Sequence, residues 1–317
     1  MHVSVLVPSS LAREAEDKRE ATRKLGYVAR AATIYRADRL VVFDDPAGET
    51  GSLDGGFVRT VLRYAATPPY LRKEAWGQRD ELEYVGVLPP LHASSRTGSG
   101  SGGPGSLRQG IVTEVGPDGR VRVNCGVQHP ISLPTPNQRE FVEGERVTVR
   151  VSSRRPVRAK LVDEPLSGFS VEQADLREAL AREGAGIRIA ASRHGTALTA
   201  TRLPNLVDRV QQEGLTLALG APGRGLPAIL GVDVDAVDGT ADAFERAIAR
   251  SDAPAASADA TDEDGASSDP TPGRNAAVGP TAGGFDLWLN TIPNQGSETV
   301  RTEEAMFASL ATCTLTE

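Results

Sequence analysis

The hydrophobic pattern of this chain changes its period twice, and this change limits the possible folds more than any other feature. Residues 1–91 alternate strand-like apolar runs with helix-like stretches, residues 109–162 alternate apolar and polar positions, and the first pattern returns from residue 168. A period of two is typical of half-buried strands, whereas strands that alternate with helices predict a parallel sheet covered by helices. The sequence therefore predicts one α/β domain that is interrupted by a small all-β domain.

Each α/β segment can be divided into predicted elements. In the first segment these are a buried strand at Val3–Val7, a long helix starting directly after Pro8-Ser-Ser, a strand at Leu40–Phe43 and a helix at Phe57–Tyr64. In the second segment they are a helix at Val171–Arg182, strands starting at Ile187, Leu215 and Phe285, a helix at Leu203–Val210, and a last helix capped by Thr299.

These patterns give the expected domain boundaries. Residues 1–91 and 166–317 are predicted to form the split α/β domain, and residues 107–165 a small OB-like β-barrel. Residues 92–106 are rich in glycine and serine, which is typical of a flexible linker. We expect residues 232–281 to be an acidic, disordered insertion, because residues 252–269 hold six acidic residues and no basic residue.

Composition narrows the cellular setting. The net charge is -7, and lysine occurs at only Lys18, Lys24, Lys73 and Lys160 among 35 basic residues. Such acid-rich, lysine-poor composition is typical of a salt-loaded cytoplasm, as in a halophilic archaeon, although a GC-rich genome also favours arginine over lysine. No apolar run approaches the length of a membrane span, and the amino terminus lacks the basic region of a signal peptide. We therefore expect a cytoplasmic protein without a membrane partner.

Metal sites and nucleophilic catalysis find little support in the sequence. The two cysteines, Cys125 and Cys313, lie far apart, and the four histidines are scattered, so no zinc-ligand spacing or disulfide framework exists. We expect no metal and a reducing compartment. Cys125 is interpreted as a small core residue. His194 is interpreted as a surface histidine, with a general base as the alternative.

Three polar loops follow strands of the second α/β segment, at Ser192–Gly195, Gly220–Pro227 and Asn290–Ser297. Because parallel strands place such loops at one edge of the sheet, we expect them to lie close together and to bind a ligand. The second loop is rich in glycine but lacks the Lys-Ser/Thr ending of a phosphate-binding P-loop, so hydrolysis of a nucleoside triphosphate is not expected.

The all-β segment ends in a basic stretch. Residues 146–160 hold six basic residues and no acid, which contrasts with the acidic chain as a whole. This favours contact with the phosphates of a nucleic acid. The alternative is a strand whose outer face is merely decorated with arginine.

One segment resembles a known family. Asn290-Thr-Ile-Pro-Asn-Gln-Gly-Ser-Glu-Thr-Val-Arg-Thr-Glu-Glu-Ala305 is similar to the C-terminal knot motif of SPOUT-superfamily methyltransferases, in the archaeal and eukaryotic branch with an OB-like insertion. The resemblance covers nearly the whole chain in the same order. It also includes Val7–Ser10, Gly26–Ala31, Val41–Asp44, Thr67–Lys73, Gly86–Leu91 and Val123–Gly126.

The resemblance implies a trefoil knot, in which the C-terminal segment threads through a loop, and a homodimer with its active site near the dimer interface. It also implies that S-adenosylmethionine binds among the three loops. The implied cofactor-binding residues are Ser192, Arg193, Leu219, Gly220, Gly223, Gly225, Leu226, Leu289, Asn290, Thr291, Ile292, Pro293, Gln295, Gly296, Ser297 and Thr302.

The implied substrate is RNA, with ribosomal RNA and a uridine ring nitrogen preferred. A uridine N3 must lose its proton, so a cation near the carbonyl oxygens would stabilise the anion. Arg30, Arg72 and Lys73 are candidates for this cation or for contacts with RNA phosphates, and Arg30 is the preferred catalytic residue. The alternative for each is a surface ion pair. The predicted RNA-binding residues are Arg72, Lys73, Arg146, Arg150, Arg154, Arg155 and Arg158. Two alternatives are a non-catalytic RNA-binding protein that uses the OB-like domain and a methyltransferase of protein side chains.

Overall fold

The computed structural model describes residues 1–91, 106–117, 119–135, 140–154, 157–164, 168–249 and 282–315. The strands are β1 (Val3–Pro8), β2 (Arg39–Phe43), β3 (Ser106–Val115), β4 (Arg120–Asn124), β5 (Ile131–Pro134), β6 (Arg146–Arg154), β7 (Val157–Val162), β8 (Ser170–Gln173), β9 (Ile187–Ala197), β10 (Leu215–Ala218) and β11 (Leu287–Asn290). The α-helices are α1 (Lys18–Ile34), α2 (Gly55–Ala66), α3 (Pro69–Ala75), α4 (Leu176–Ala181), α5 (Leu203–Glu213), α6 (Leu226–Leu230), α7 (Ala241–Ala249) and α8 (Thr302–Cys313).

A six-stranded parallel sheet is built from both ends of the chain. Its strand order is β11-β9-β10-β1-β2-β8. Strand β1 lies inside the sheet and is buried along its whole length, as expected for a continuous apolar run in a parallel sheet. Helices α1, α2, α5, α7 and α8 contribute to one apolar core, and α4 and α6 contribute to a second one. The predicted α/β class is confirmed.

The middle of the chain forms a five-stranded antiparallel sheet with the order β5-β4-β3-β6-β7. Its outer strands β5 and β7 contact each other, so the sheet is barrel-like and nearly closed. The side chains of Val112, Val123, Val149 and Leu133 fill its interior. Cys125 is buried with them, as the sequence predicted. The strands predicted from a period of two are confirmed.

Helix α3 joins the two sheets. The Tyr70 hydroxyl donates a hydrogen bond to the Gln109 carbonyl at 3.0 Å, and the Arg108 guanidinium lies 5.7 Å from the centre of the Tyr70 ring. Gly126 has a φ of +73°, and a Cβ there would lie 2.4 Å from the ring. Glycine is therefore required where the antiparallel sheet meets α3.

Two predicted helices differ from the structure. The region Val171–Arg182 was predicted to be one helix, but it is the edge strand β8 followed by α4. The backbone of Val171 pairs with β2, and the helix begins only where the Asp175 side chain accepts a hydrogen bond from Arg177 N. The helix expected directly after Pro8 is a short 3-10 turn at Ser9–Ala12. Helix α1 starts later, capped by Asp17.

The prediction of disorder over residues 232–281 is wrong for the first part of that segment. Helix α7 lies within residues 232–281, and its Phe244 is fully buried in the core of the parallel sheet. An amphipathic segment with one large apolar anchor thus orders itself beside an acidic stretch. Residues 250–281 and residues 92–105 of the predicted linker lie outside the described residues, whereas Ser106, the last residue of that predicted linker, belongs to β3. Thr299 is not the cap of α8, because Arg301 occupies that position and its backbone N–H donates to Glu304.

None of the helices in the described ranges is long and apolar enough to cross a membrane. Within the same ranges, no group of three or more histidine, cysteine, aspartate or glutamate side chains is placed to hold a metal ion.

Candidate active site at the edge of the parallel sheet

One cavity of about 370 Å³ lies at the ends of β10 and β11 and beside the middle of β9. Residues 191–194, 219–228 and 289–302 contribute its three walls, which are the three loops that the sequence placed together. Among the predicted cofactor-binding residues, the following line it: Ser192, Arg193, Leu219, Gly220, Gly223, Gly225, Leu226, Leu289, Asn290, Thr291, Ile292, Gln295 and Thr302. Pro293, Gly296 and Ser297 belong to the third loop but do not line the cavity.

The first wall is a bulge inside a strand and not a loop after it. Strand β9 pairs with β11 at Ala190, and the next pair joins Thr196 to Leu289, so residues 191–195 are extra in β9. A Cβ on Gly195 would lie 2.5 Å from the backbone nitrogen of Leu289, so only glycine allows the strands to approach at this point. The Asn290 amide donates to the carbonyl of Arg193 at 3.1 Å and holds the bulge in place.

The second wall is a tight turn after β10. Ala221 and Arg224 exchange two backbone hydrogen bonds of 3.0 Å, and Gly223 between them has a φ of +66°. A Cβ on Gly220 would lie 2.8 Å from the Cα of Gly225 and from the backbone nitrogen of Leu226. Backbone therefore packs on backbone here, which leaves peptide groups close to the cavity.

An ion pair with a buried carboxylate anchors this turn to the rest of the sheet. The Nε of Arg224 lies 3.0 Å from both carboxylate oxygens of Asp45, which is 3% exposed. The Ser10 hydroxyl donates to the same carboxylate at 2.5 Å, and the Ser9 hydroxyl accepts from the backbone N–H of Asp45 at 2.8 Å. Arg224 does not line the cavity, so the pair holds the wall from behind.

The third wall runs from β11 into α8. The Thr302 hydroxyl donates to the Gly220 carbonyl at 2.8 Å, which ties the third wall to the second. Just before β11, Asp286 accepts hydrogen bonds from the Arg188 side chain at 2.6 and 2.8 Å. Burial alone would raise the pKa of Asp286, but the hydrogen bonds from Arg188 outweigh it and lower the pKa.

The cavity combines an apolar interior with a polar mouth. Leu219, Leu226 and Leu289 are almost fully buried, whereas Arg193 and His194 are exposed. Among the described residues, the ionisable side chains that line the cavity are Arg193, His194 and Glu298. A planar apolar group can therefore bind inside while charged groups meet at the entrance.

Arg30, the predicted catalytic residue, does not line this cavity. Its Nη1 donates to the Pro90 carbonyl at 2.6 Å, and its side chain lines a separate cleft of about 1420 Å³ between the two sheets. Within one chain, the structure therefore does not bring Arg30 together with the three walls.

Two predicted RNA-binding arginines are used inside the protein. Arg72 donates to the carbonyls of Thr67 and Ala65 at 3.0 and 3.3 Å, and its guanidinium lies 4.8 Å from the centre of the Tyr64 ring. Arg146 donates to the Ala66 carbonyl at 3.3 Å and to the Gln109 side chain. Burial lowers the pKa of both guanidinium groups. These side chains join α2 and α3 to each other and to the antiparallel sheet.

The other predicted RNA-binding residues differ in whether their charges are paired or exposed. Arg150 forms an ion pair with Glu164, which lies just outside the acid-free stretch. Lys73 and Arg158 are exposed. The side chain of Arg154 and the whole of Arg155 lie outside the described residues.

A buried polar cluster lies beside the first turn of α8. Lys24 is 4% exposed and is paired with Glu14, and its Nζ lies 3.9 Å from Glu303. Burial lowers the pKa of Lys24 and raises the pKa of Glu303. The cluster fastens α1 to α8 and thus supports the third wall.

Sequence reasoning missed several residues of the site. Ala191 was not predicted because it belongs to the apolar strand pattern that starts at Ile187. His194 lies in the predicted loop Ser192–Gly195, but it was interpreted as a surface histidine or a general base and not as a cofactor-binding residue. Glu298 was left out because the third loop was taken to end at Ser297. The anchor Asp45 could have been suspected from the Asp-Asp-Pro that ends β2.

Comparison with known proteins relates the whole chain to one family. A family model described as "Putative RNA methyltransferase" matches residues 2–313. An uncharacterised protein of Haloarcula marismortui is 63% identical over 318 residues, which covers 100% of both chains. An uncharacterised protein of Halobacterium salinarum is 60% identical and covers 99% of both chains.

A more distant relative has a named activity. The "28S rRNA (uridine-N(3))-methyltransferase" of Homo sapiens is 28% identical over 341 residues, covering 98% of this chain and 77% of the human protein. The two archaeal relatives fit the composition that was interpreted as halophilic.

Proposed function

Because this chain belongs to the RNA methyltransferase family whose model spans residues 2–313, we propose that it methylates a uridine of ribosomal RNA at N3, with S-adenosylmethionine as the methyl donor. The chain is a methyltransferase by family. The donor, the RNA class and the acceptor atom are the finer part of the proposal. They rest on the cavity and on the named activity of the human relative.

The observation that carries the proposal is the convergence of three separate segments on one cavity. Residues 191–194, 219–228 and 289–302 are far apart in the chain and meet at the edge of the parallel sheet, where α/β proteins bind their ligands. Such a cavity, of about 370 Å³, is within the range of small-molecule sites.

The residues present fit S-adenosylmethionine. Leu219, Leu226 and Leu289 offer a buried apolar surface for the adenine, and the backbone of the Gly220–Gly225 turn can approach it closely. The Glu298 carboxylate at the cavity is a suitable partner for the amino group of the methionine part. The donor supplies an electrophilic methyl group, and the chain contributes its position and a site shielded from water.

The proposal extends to topology and assembly. We propose that residues 291–302 thread through the turn at 220–225 as a SPOUT trefoil knot, which the contact between Thr302 and Gly220 supports. The antiparallel sheet is proposed to be an OB-like RNA-binding module, with the exposed Arg158 of β7 and the exposed Lys73 of the adjoining helix α3 among the RNA contacts. A cytoplasmic homodimer is proposed by family resemblance.

Two measurements test the proposal. Calorimetric titration of the purified protein with S-adenosylmethionine is expected to give one site per chain, and no binding by folded protein would contradict it. Mass mapping of ribosomal RNA from a strain lacking the gene is expected to show one uridine that has lost a methyl group. If the methylation of ribosomal RNA were unchanged in that strain, ribosomal RNA would be ruled out as the substrate.

A further inference from the structure

The bulge in β9 has no role in pairing the strands, yet it is held in place by specific contacts. Residues 191–195 interrupt the register between β9 and β11. Asn290 fixes the Arg193 carbonyl, the Ser192 hydroxyl accepts from the backbone N–H of His194 at 3.2 Å, and a Cβ on Gly239 would lie 2.6 Å from the His194 carbonyl. Bulges beside active sites commonly redirect a side chain.

The side chains redirected here are Arg193 and His194. Both are exposed and line the cavity, and the Arg193 Nε donates to the His194 Nε2 at 3.1 Å. Among the described residues, no hydrogen bond or ion pair holds the two terminal nitrogens of Arg193. The imidazole therefore orients the guanidinium and leaves its planar pair of terminal donors free.

The position favours the RNA base over the methyl donor as the ligand of Arg193. The buried leucines lie in the interior of the cavity, whereas Arg193 lies at the mouth, where a bound RNA would enter. A sulfonium group is a cation and gains nothing from a neighbouring guanidinium. A uracil that loses its N3 proton gains negative charge on its carbonyl oxygens, and a positioned cation stabilises that charge.

We propose that Arg193 is a catalytic residue that donates hydrogen bonds to a carbonyl oxygen of the acceptor base, and that His194 is its positioning residue. The inference rests on the proposed function and replaces Arg30 in this role. The N3 proton passes to water, the nitrogen lone pair forms the bond to the methyl carbon, and the electrons of the broken carbon–sulfur bond stay on sulfur. Arg193 stabilises the anion and gives up no proton.

The test uses the full-length protein with Arg193→Gln, Arg193→Lys and, as a matched control, Arg177→Gln. Arg177 is an exposed arginine on α4 that does not line the cavity. The affinity for S-adenosylmethionine is measured by calorimetry. Methyl transfer to ribosomal RNA from a strain lacking the gene is measured at saturating donor from mildly acidic to alkaline pH.

We expect Arg193→Gln to lower the rate at saturating donor about 100-fold, as does removal of one oxyanion donor in other enzymes. The donor Kd should change less than about twofold, because the guanidinium does not bind the donor. The rate–pH curve should move to more alkaline pH, because the base must then ionise without help. Arg193→Lys should restore part of the rate, and Arg177→Gln should match the wild type.

Three outcomes overturn the inference. A donor Kd weakened tenfold or more with an unchanged rate at saturating donor would make Arg193 a ligand of the donor carboxylate. A raised KM for RNA with unchanged kcat and pH curve would make it a phosphate contact. Wild-type behaviour would remove any role. If the wild-type protein itself neither bound donor nor methylated RNA, the proposed function would fail instead.

His194 is tested by a double-mutant cycle. We expect His194→Gln to lower the rate in the wild-type background but to have no further effect in the Arg193→Gln background, because its role runs through Arg193. Additive effects of the two substitutions would give His194 a separate role and would contradict the positioning assignment.

Discussion

The cavity at the edge of the parallel sheet and the basic strand β6 of the antiparallel sheet use their polar side chains in different ways. At the cavity, ion pairs such as Asp45–Arg224 support the walls through residues that do not line the cavity, so the lining side chains remain accessible to a ligand. In the basic strand, Arg146 donates a hydrogen bond to a backbone carbonyl and Arg150 forms an ion pair, both within the protein. A basic side chain is therefore available to a ligand only to the extent that contacts within the protein leave its donors unused.

The largest expected effect tests the anchor behind the cavity. Replacing Asp45 with Ala should lower the free energy of unfolding by about 3 kcal/mol, because Arg224 and the Ser10 hydroxyl lose a buried partner. Urea unfolding measures this. The exposed neighbour Asp44 is the control, and Asp44→Ala should cost less than about 0.5 kcal/mol. Equal effects of the two substitutions would refute the anchoring role.

The second prediction concerns the ion pair between β9 and β11. Asp286→Asn should cost about 2 kcal/mol at neutral pH, because charged hydrogen bonds from Arg188 are lost. The pKa of Asp286 is lowered in the folded protein, so its contribution is present above the ordinary aspartate value and lost as pH falls through the folded value. The difference from wild type should therefore shrink in acid.

Unfolding in urea at neutral and at acidic pH measures this difference. Asp208→Asn, at an exposed position of α5, is the control and should have no pH-dependent effect. A destabilisation by Asp286→Asn that is the same at every pH would speak against the ion pair.

The third prediction compares two glycines of the predicted cofactor loops. Gly220→Ala should weaken S-adenosylmethionine binding about tenfold, because its Cβ would lie 2.8 Å from backbone atoms that cannot move aside. Gly296→Ala should leave Kd unchanged, because no atom lies within 4 Å of its Cβ and the residue does not line the cavity. Calorimetry decides, and the reverse order of effects would place the donor elsewhere.

The smallest effect tests the basic region. Arg158 is exposed, so Arg158→Gln should weaken RNA binding by about 1 kcal/mol or less and reduce the salt slope by about one. Arg150→Gln should change RNA binding less, because its charge is paired with Glu164. Filter binding at several salt concentrations measures both. A larger effect of Arg150→Gln would show that its ion pair opens on RNA.

The sequence predicted the backbone plan better than the use of individual side chains. Apolar runs such as Val3–Val7 have few alternatives to a buried strand, and parallel strands bring their following loops to one edge. Edge strand β8 was missed because four residues with two half-buried positions carry no clear period. The bulge at 191–195 was not predicted because glycine is required at position 195 by the close approach of the Leu289 backbone, which is far away in the chain.

Predictions for arginines were limited for the same reason. Nothing near Arg146 in the chain shows that the carbonyl of Ala66 will accept its hydrogen bond. Arg72 is close in sequence to its partner Thr67. The two can form a hydrogen bond because α2 ends and α3 starts at Pro69, so the last carbonyls of α2 accept no hydrogen bond from within that helix. Tertiary contacts thus decide which charges stay available for RNA.

The pairing of β1 with β10 has a consequence for synthesis. Val3 leaves the ribosome long before its partner Leu215, which follows only after the whole antiparallel sheet has been made. The strands of that sheet pair mostly with near neighbours in the chain. The sheet can therefore fold while the edge of β1 that pairs with β10 still has no partner strand. We therefore expect the nascent protein to fold its inserted antiparallel sheet first and to complete the cavity at the edge of the parallel sheet last, when β11 and α8 emerge.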